Sequence, residues 1–376
     1  MEAAAAARVV LLGDSTLDNV VWVDEPAQAV PAALTRSLDA AVINLAADGF
    51  TSADMLEGAP PNISHAARSA AGDPFPTASG EPFFPLPALL DLSPAPTHLV
   101  LSVGGNDVRE ILGAMHELPA RIAAFHSNYP LIAEACEASG ARVIVMLQYR
   151  PDLATDLKHY GVYRAIDAGI PGGGDRVAKL NQLMQGIYPP VLALALAKGW
   201  DVLDLPNTFD IHCSELYRCQ IEPSPRGGAL IAELIAHAVT KRPDGAPGTR
   251  QAMLISKPVG GSEIVETPLV ASEELGSLPP ELGAVCPASW RITEPSAAPT
   301  PAPAPVTAAV AAAPATNSDD ESGAYFSHFS VYFLSQALMI LFRFGFTLLT
   351  FDGTLMAARR RGRWTATDYI SALPRL

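Results

Sequence analysis

Apolar residues in the first part of this chain gather in short unbroken runs instead of alternating strictly with polar ones. Five runs stand out: Arg8–Leu12, Ala41–Leu45, His98–Val103, Arg142–Leu147 and Asp201–Leu205. Short runs of this kind, rich in Val, Ile and Leu, mark strands covered on both faces, as in parallel sheets. Helical periodicity fills the intervals. Leu118–Ser139 is one such segment, closed by Gly140, because glycine tolerates the left-handed turn that stops a helix. Val177–Ile187 is another, and Pro189-Pro190 interrupts the pattern before Val191–Lys198, which ends at Gly199. In Gly227–Thr240, the residues Leu230, Ile231, Leu234, Ile235 and Ala238 form one apolar stripe. Strands alternating with helices predict a doubly wound parallel α/β sheet. Glu57–Thr97 reads as a long connection rich in Pro, Ala and Gly, of the kind that is functional or poorly ordered in compact domains.

The pattern changes after Lys241. Residues 1–241 form the α/β unit, and 242–293 contain short apolar pieces without a long amphipathic period, so they read as an irregular extension. Residues 294–324 are Ala, Pro, Thr and Ser with an acidic cluster at Asp319-Asp320-Glu321, a low-complexity linker that builds no core. Residues 325–376 are different again. Phe329–Phe351 holds 23 residues with a single charge, Arg343, and Arg359-Arg360-Arg361-Gly362-Arg363 follows. About 20 apolar residues span a bilayer, and flanking arginines mark a cytoplasmic end. The expectation is a C-terminal hydrophobic helix that associates the chain with a membrane through residues 329–351, the rest being cytoplasmic. An amphipathic helix lying on a membrane or on the protein is the alternative.

Charge sharpens this division. The net charge is −14, while residues 325–376 carry six arginines and two aspartates, a balance of +4, so the remainder carries −18. That excludes nucleic acid as a partner of the main domain and gives the tail a separate role. The cysteines, Cys136, Cys213, Cys219 and Cys286, lack paired spacing, so neither a metal site nor a disulfide scaffold is expected. Met1-Glu2 and the following alanines show no basic segment and no long apolar core, hence no secretory signal.

Chemistry gathers where the strands end. The first strand runs into Gly13-Asp14-Ser15, which puts a serine at the carboxyl edge, where open α/β sheets place their sites. Taken alone, Ser15 also fits a helix N-cap. The second strand leads to Asp48-Gly49, the third to Gly104-Gly105-Asn106-Asp107, and Cys219-Gln220-Ile221-Glu222-Pro223 precedes the last amphipathic helix. A hydroxyl flanked by N–H donors suits attack on an acyl carbonyl, because the donors stabilise the oxygen that becomes negative. Ser15 N–H, Gly49 N–H and the Asn106 amide form such a donor set. A phosphate-binding loop at Gly13 is a competing reading, and it leaves Asn106 without a role.

Gly13-Asp14-Ser15, Gly49 and Gly104-Gly105-Asn106-Asp107 occur in the order and context of the blocks of the SGNH or GDSL hydrolases, which include esterases, lipases, thioesterases and carbohydrate deacetylases, and residues 8–240 resemble that family. The resemblance implies a flavodoxin-like three-layer α/β/α domain, Ser15 as nucleophile, and Gly49 and Asn106 completing the oxyanion hole. It gives Asp14 and Asp107 a bracing role and implies no metal or organic cofactor. The expected partner is a small-molecule ester. The family's last block, Asp-x-x-His before a proline, is replaced here by Cys219-Gln220-Ile221-Glu222. Glu222 thus stands where the family keeps its general base, and Cys219 where it keeps the aspartate. Two alternatives to a catalytic Glu222 follow: a glutamate that merely caps the last helix, and His212 as a base reaching in from upstream. A non-catalytic domain binding an acylated ligand or a protein partner is the alternative to the hydrolase.

Overall fold

The computed structural model describes residues 7–270 apart from 39, 71–80, 112–114, 154–161, 170–174, 185 and 242–250. All of these lie in the first of two units, Met1–Ile292 and Thr293–Leu376. The linker 294–324 and the segment Phe329–Phe351 therefore fall outside the described residues. Among the described residues, no helix is long and apolar enough to cross a membrane.

The five apolar runs form strands within a residue of their expected limits: β1 Arg8–Gly13, β2 Ala41–Asn44, β3 His98–Ser102, β4 Arg142–Leu147 and β5 Asp201–Asp204. A short hairpin follows, made of β6 Tyr217–Arg218 and β7 Glu222–Pro223. Residues 251–270 supply two further strands, β8 Met253–Ser256 and β9 Val265–Pro268. The sheet order is β2-β1-β3-β4-β5-β8-β9. All neighbours are parallel except β9, which runs antiparallel to β8 at the edge. The irregular extension expected over 242–293 thus contributes sheet. β9 is exposed along its whole length, so it lacks the apolar run by which the buried strands are read.

Successive side chains of a strand point to opposite faces, and here both faces are buried. Val10, Leu12, Leu99, Leu101, Val143 and Val145 belong to one apolar cluster. Val9, Leu11, Val100, Ile144, Met146 and Leu203 belong to the other. The helix Leu118–Ala138 and the helix Tyr188–Lys198 cover the first face. Val30–Ser37 and Pro225–Thr240 cover the second. The result is the three-layer α/β/α fold.

One helix begins differently from the periodic reading, and one connection holds helices of its own. Pro189-Pro190 opens the helix Tyr188–Lys198 instead of interrupting it, because the first turn needs no N–H partner there. The stretch Glu57–Thr97 contains two short helices, Ile63–Ala70 and Pro85–Leu90.

Candidate active site

The chain moves from β1 to β2 on one side and to β3 on the other, so the strand order reverses between β1 and β3. Ligands of doubly wound sheets bind at the carboxyl ends beside such a reversal. Both site residues sit there: Ser15 lies two residues past β1, and Asn106 lies four past β3 as the second residue of the helix Gly105–Ile111. Gly13 adopts φ +140°, and a Cβ on it would stand 1.7 Å from the Ser102 carbonyl oxygen. No other residue fits between β1 and β3 at that point, which fixes where the chain turns toward Ser15.

Asp14 then locks the turn. Its carboxylate accepts hydrogen bonds from Ser102 Oγ (2.9 Å), from the Thr16 N–H (3.1 Å) and from Gln148 Nε2 (2.9 Å). Gln148 also donates to Ser102 Oγ and accepts from Thr16 Oγ1. The residue after β4 therefore ties the β1 and β3 turns together. Burial pushes the Asp14 carboxyl up to about 6, against the pull of its Ser102 hydrogen bond.

The loop after β2 is held from below. Asp18 accepts from the Asp48 N–H and from Asn44 Nδ2, and it pairs with Arg68. Arg68 donates to the carbonyls of Ala46 and Asn44. Gly49 follows with φ +80°. Asn106 is buried at 6 % exposure, and its amide donates to the Phe50 carbonyl at 3.0 Å, which links it to the Gly49 loop. One amide hydrogen satisfies Phe50, and the second is left for a ligand. Among the described residues, the backbone N–H groups of Ser15 and Gly49 donate to no protein acceptor. Asp107 turns away and accepts from the Ser52 N–H and Oγ, the bracing role expected of it.

Glu222 comes from the β6–β7 hairpin. Cys219 and Gln220 form its turn with φ 48° and 78°, a conformation that costs non-glycine residues roughly 1–2 kcal/mol each. The hairpin is tied down on several sides. Tyr149 Oη donates to the Ile221 carbonyl (2.6 Å), and Asn19 Nδ2 donates to that of Pro223 (3.1 Å). Gln220 accepts from the Val162 N–H at 3.2 Å, and its carbonyl accepts from the Asp152 N–H at 2.8 Å. These contacts hold Glu222 at 2 % exposure, with Oε2 buried and unpartnered among the described residues. Burial, then the nearby Asp48 charge, push its carboxyl up to about 8, while hydrogen bonding to the Ser15 side chain and the Arg109 charge pull the other way.

Ser15, Asn106, Arg109 and Glu222 line one cavity of about 70 Å³. Its other wall is apolar and includes Val162, Leu180, Leu183 and Met184 from the helices Val162–Gly169 and Arg176–Met184. Three of the four residues singled out in the sequence thus share the cavity. Gly49 lies beside it, and a Cβ there would stand 3.9 Å from the Arg109 guanidinium. His212 is exposed, its N–H donates to Asp210, and it does not line the cavity. The helix-capping reading of Glu222 also fails. Ser224 is the N-cap of Pro225–Thr240 and accepts from the Gly227 N–H at 3.1 Å.

Arg109, Gln148, Tyr149 and Gln220 escaped the sequence reading. Arg109 alone had a signal there, three residues after Asn106, which is one turn along the same helical face. No cluster of His, Cys, Asp and Glu suited to a metal ion occurs among the described residues. Cys136 is a buried free thiol, and Cys213 and Cys219 are free as well.

No family model matches the chain, and no curated protein matches it. Among solved structures, similar ones include a protein of Slackia heliotrinireducens described as an SGNH hydrolase, at 20% identity, with 62% of this chain and 99% of that chain covered and a TM-score of 0.37. Another is the psychrotrophic esterase EstA from Pseudoalteromonas sp., at 14% identity, 62% and 97% coverage and a TM-score of 0.36. A third is a lipase from Streptomyces rimosus, at 16% identity, 61% and 100% coverage and a TM-score of 0.37. By its Gly13-Asp14-Ser15, Gly49 and Gly104-Gly105-Asn106-Asp107 blocks, the chain resembles the SGNH hydrolases.

Proposed function

We propose that this protein is a serine hydrolase that cleaves small carboxylic esters through an acyl-serine intermediate, with Glu222 as general base. The observation that carries the proposal is the convergence of Ser15, Asn106 and Glu222, all three buried, on one cavity at the strand-order reversal. The Glu222 carboxylate takes the Ser15 proton as Oγ attacks the acyl carbon. The oxygen of the broken C=O π bond becomes negative, and N–H donors at Ser15, Gly49 and Asn106 stabilise it. The tetrahedral adduct expels the alcohol, which leaves with the proton held by Glu222. Water repeats the sequence on the acyl-serine, passing its proton to Glu222, and frees the acid.

A surface glutamate, with a pKa near 4.3, is too weak a base for this task. Burial removes that objection: with its carboxyl at about 8, ionised Glu222 has a proton affinity above that of free imidazole.

One observation favours a second reading, a domain that binds an acylated ligand without turnover. At neutral pH the raised Glu222 carboxyl keeps its proton, which fills the position the Ser15 proton must enter. Labelling of the full-length protein by a fluorophosphonate separates the two. The hydrolase requires covalent labelling at Ser15 that strengthens from pH 6 to pH 9 and is lost in Ser15→Ala. Absence of labelling at every pH removes the hydrolase reading and leaves the binding domain.

A further inference from the structure

A glutamate base sets a charge problem that a histidine base does not. Neutral imidazole becomes a cation as it takes the serine proton, so a counter-charge for the oxyanion appears automatically. A carboxylate becomes neutral. The negative charge it carried moves across the cavity to the substrate oxygen, and nothing in the base offsets it there. Beside a largely apolar wall an uncompensated charge is costly, so a fixed cation on the oxyanion side adds to what the N–H donors supply.

Arg109 stands in that position. Among the described residues that line the cavity, it is the only cation. It lies on the helix Gly105–Ile111, one turn beyond Asn106, so both residues face the cavity while Asp107 is engaged with Ser52. Its Nη2 is 3.9 Å from where a Cβ on Gly49 would stand, next to a proposed oxyanion donor. It is half-buried, which preserves most of the strength of its field relative to an exposed arginine.

We propose that Arg109 is a further catalytic residue, the fixed positive charge that receives the oxyanion when Glu222 takes the proton of Ser15. The inference rests on the reading of Ser15 and Glu222 as nucleophile and base. The same guanidinium also acts on the ground state, where Glu222 faces Asp14 and Asp48 as well as Arg109, with Tyr149 and Cys219 close by. Asp48 in turn faces Asp14, Asp18 and Arg109. Arg109 is the positive member of this set and favours ionised Glu222, so one residue serves both ends of the charge transfer.

The test is the rate of fluorophosphonate labelling of the full-length protein from pH 6 to pH 10, for wild type, Arg109→Lys and Arg109→Gln. The phosphoryl oxygen of the reagent occupies the oxyanion position, so the rate reports on the charge there. Arg109→Gln is expected to lower the maximal rate roughly 10²–10³-fold and to shift the pH midpoint upward, because Glu222 loses its cation. Arg109→Lys keeps the charge and is expected within about tenfold of wild type, with the midpoint unchanged. An unchanged maximal rate in the Gln variant overturns the inference, as does a Lys variant slowed as much as the Gln variant, which would mark a packing role. A thermal melt identifies a Gln variant that does not fold, and the Lys variant then decides. Wild type that never labels overturns the hydrolase reading itself, a result distinct from labelled wild type with unaffected Arg109 variants.

Discussion

Ser15 and Asn106 reach the cavity from the ends of β1 and β3, parallel strands buried on both faces, whereas Glu222 reaches it from a hairpin of two-residue strands. On the strand side, position follows from the sheet. The turn after β1 is fixed by Gly13 against Ser102, and Asp14, Ser102 and Gln148 lock the turns together. On the hairpin side, position follows from side chains of other elements. Tyr149 and Asn19 donate to the hairpin's carbonyls, and Gln220, within the turn, reaches out to accept from the Val162 N–H, although the turn is itself in a disfavoured conformation. A proposed nucleophile on a rigid element and a proposed base on a tethered one place their chemistry at different risk. Changes on the strand side should alter chemistry while leaving the fold intact. Changes on the hairpin side should couple chemistry to stability and pH.

The largest effect is expected on the strand side. Asn106→Ala removes one proposed oxyanion donor, so kcat for a short-chain chromogenic ester should fall roughly 10²–10³-fold with KM little changed. Stability should drop by about 1 kcal/mol, the net value of the hydrogen bond to Phe50. Steady-state kinetics together with a denaturant titration separate the two quantities. A loss of stability much greater than this would place Asn106 on the structural side of the comparison.

Glu222→Gln tests the other wall. Wild-type turnover should rise with pH through about 8 as Glu222 ionises, and the Gln variant should be slow and lose that ionisation. Stability has its own sign. The folded carboxyl is raised above its unfolded value of about 4.5, so the folded state holds a proton that the unfolded chain releases between those values. The favourable contribution is complete below the unfolded value and is lost as pH rises through about 8. Glu222→Gln should therefore gain on wild type between pH 5 and pH 9, by on the order of a few kcal/mol. Asp14 and Asp48, both pushed up to about 6, slope the same way, and His65, pushed down to about 4, slopes oppositely. His65 titrates in wild type and variant alike, whereas Asp14 and Asp48 lose a charged neighbour in the variant, so the difference curve reads Glu222 together with its coupling to these two carboxyls. A flat difference curve would mean that Glu222 is not held in the dry environment its burial implies.

The contrast between the two walls also governs what could be read from the sequence. Apolar runs such as Arg142–Leu147 announce buried strands, and the strand ends announce Ser15 and Asn106. The hairpin strands are too short to carry a period, and only the proline and amphipathic helix that follow placed Glu222 near the site. β9 is an exposed edge and has no apolar signature. Gln148 and Tyr149 act through partners far away in sequence: Asp14 is 134 positions from Gln148, and Ile221 is 72 from Tyr149. No local pattern encodes such pairings. Arg109 was hidden for another reason. Its proposed role follows only once the base is taken to be a carboxylate, and a single arginine on a short helix otherwise reads as a solvated face.

The smallest effect distinguishes the two left-handed residues of the hairpin. Cys219 has φ 48° and is partly buried, and hydrogen bonding does not account for its place in the turn. Cys219→Gly relieves a strain of roughly 1–2 kcal/mol but adds freedom to the unfolded chain worth about 0.4–1 kcal/mol. The expected net is a gain of about 0–1.6 kcal/mol, with any ester turnover retained. Gln220 has φ 78°, yet its side chain accepts from the Val162 N–H and its exposure is only 3 %. Gln220→Gly removes that contact and leaves a buried N–H without its acceptor, a penalty of about 1–3 kcal/mol that outweighs the relief of strain. It should lower stability, and because Val162 lines the cavity it should also disturb the wall opposite Glu222. Thermal melts of the two glycine variants, run side by side, check the pair of signs. If both destabilise alike, the hairpin is held by its own turn and not by its tethers, and the distinction between the two walls of the cavity fails.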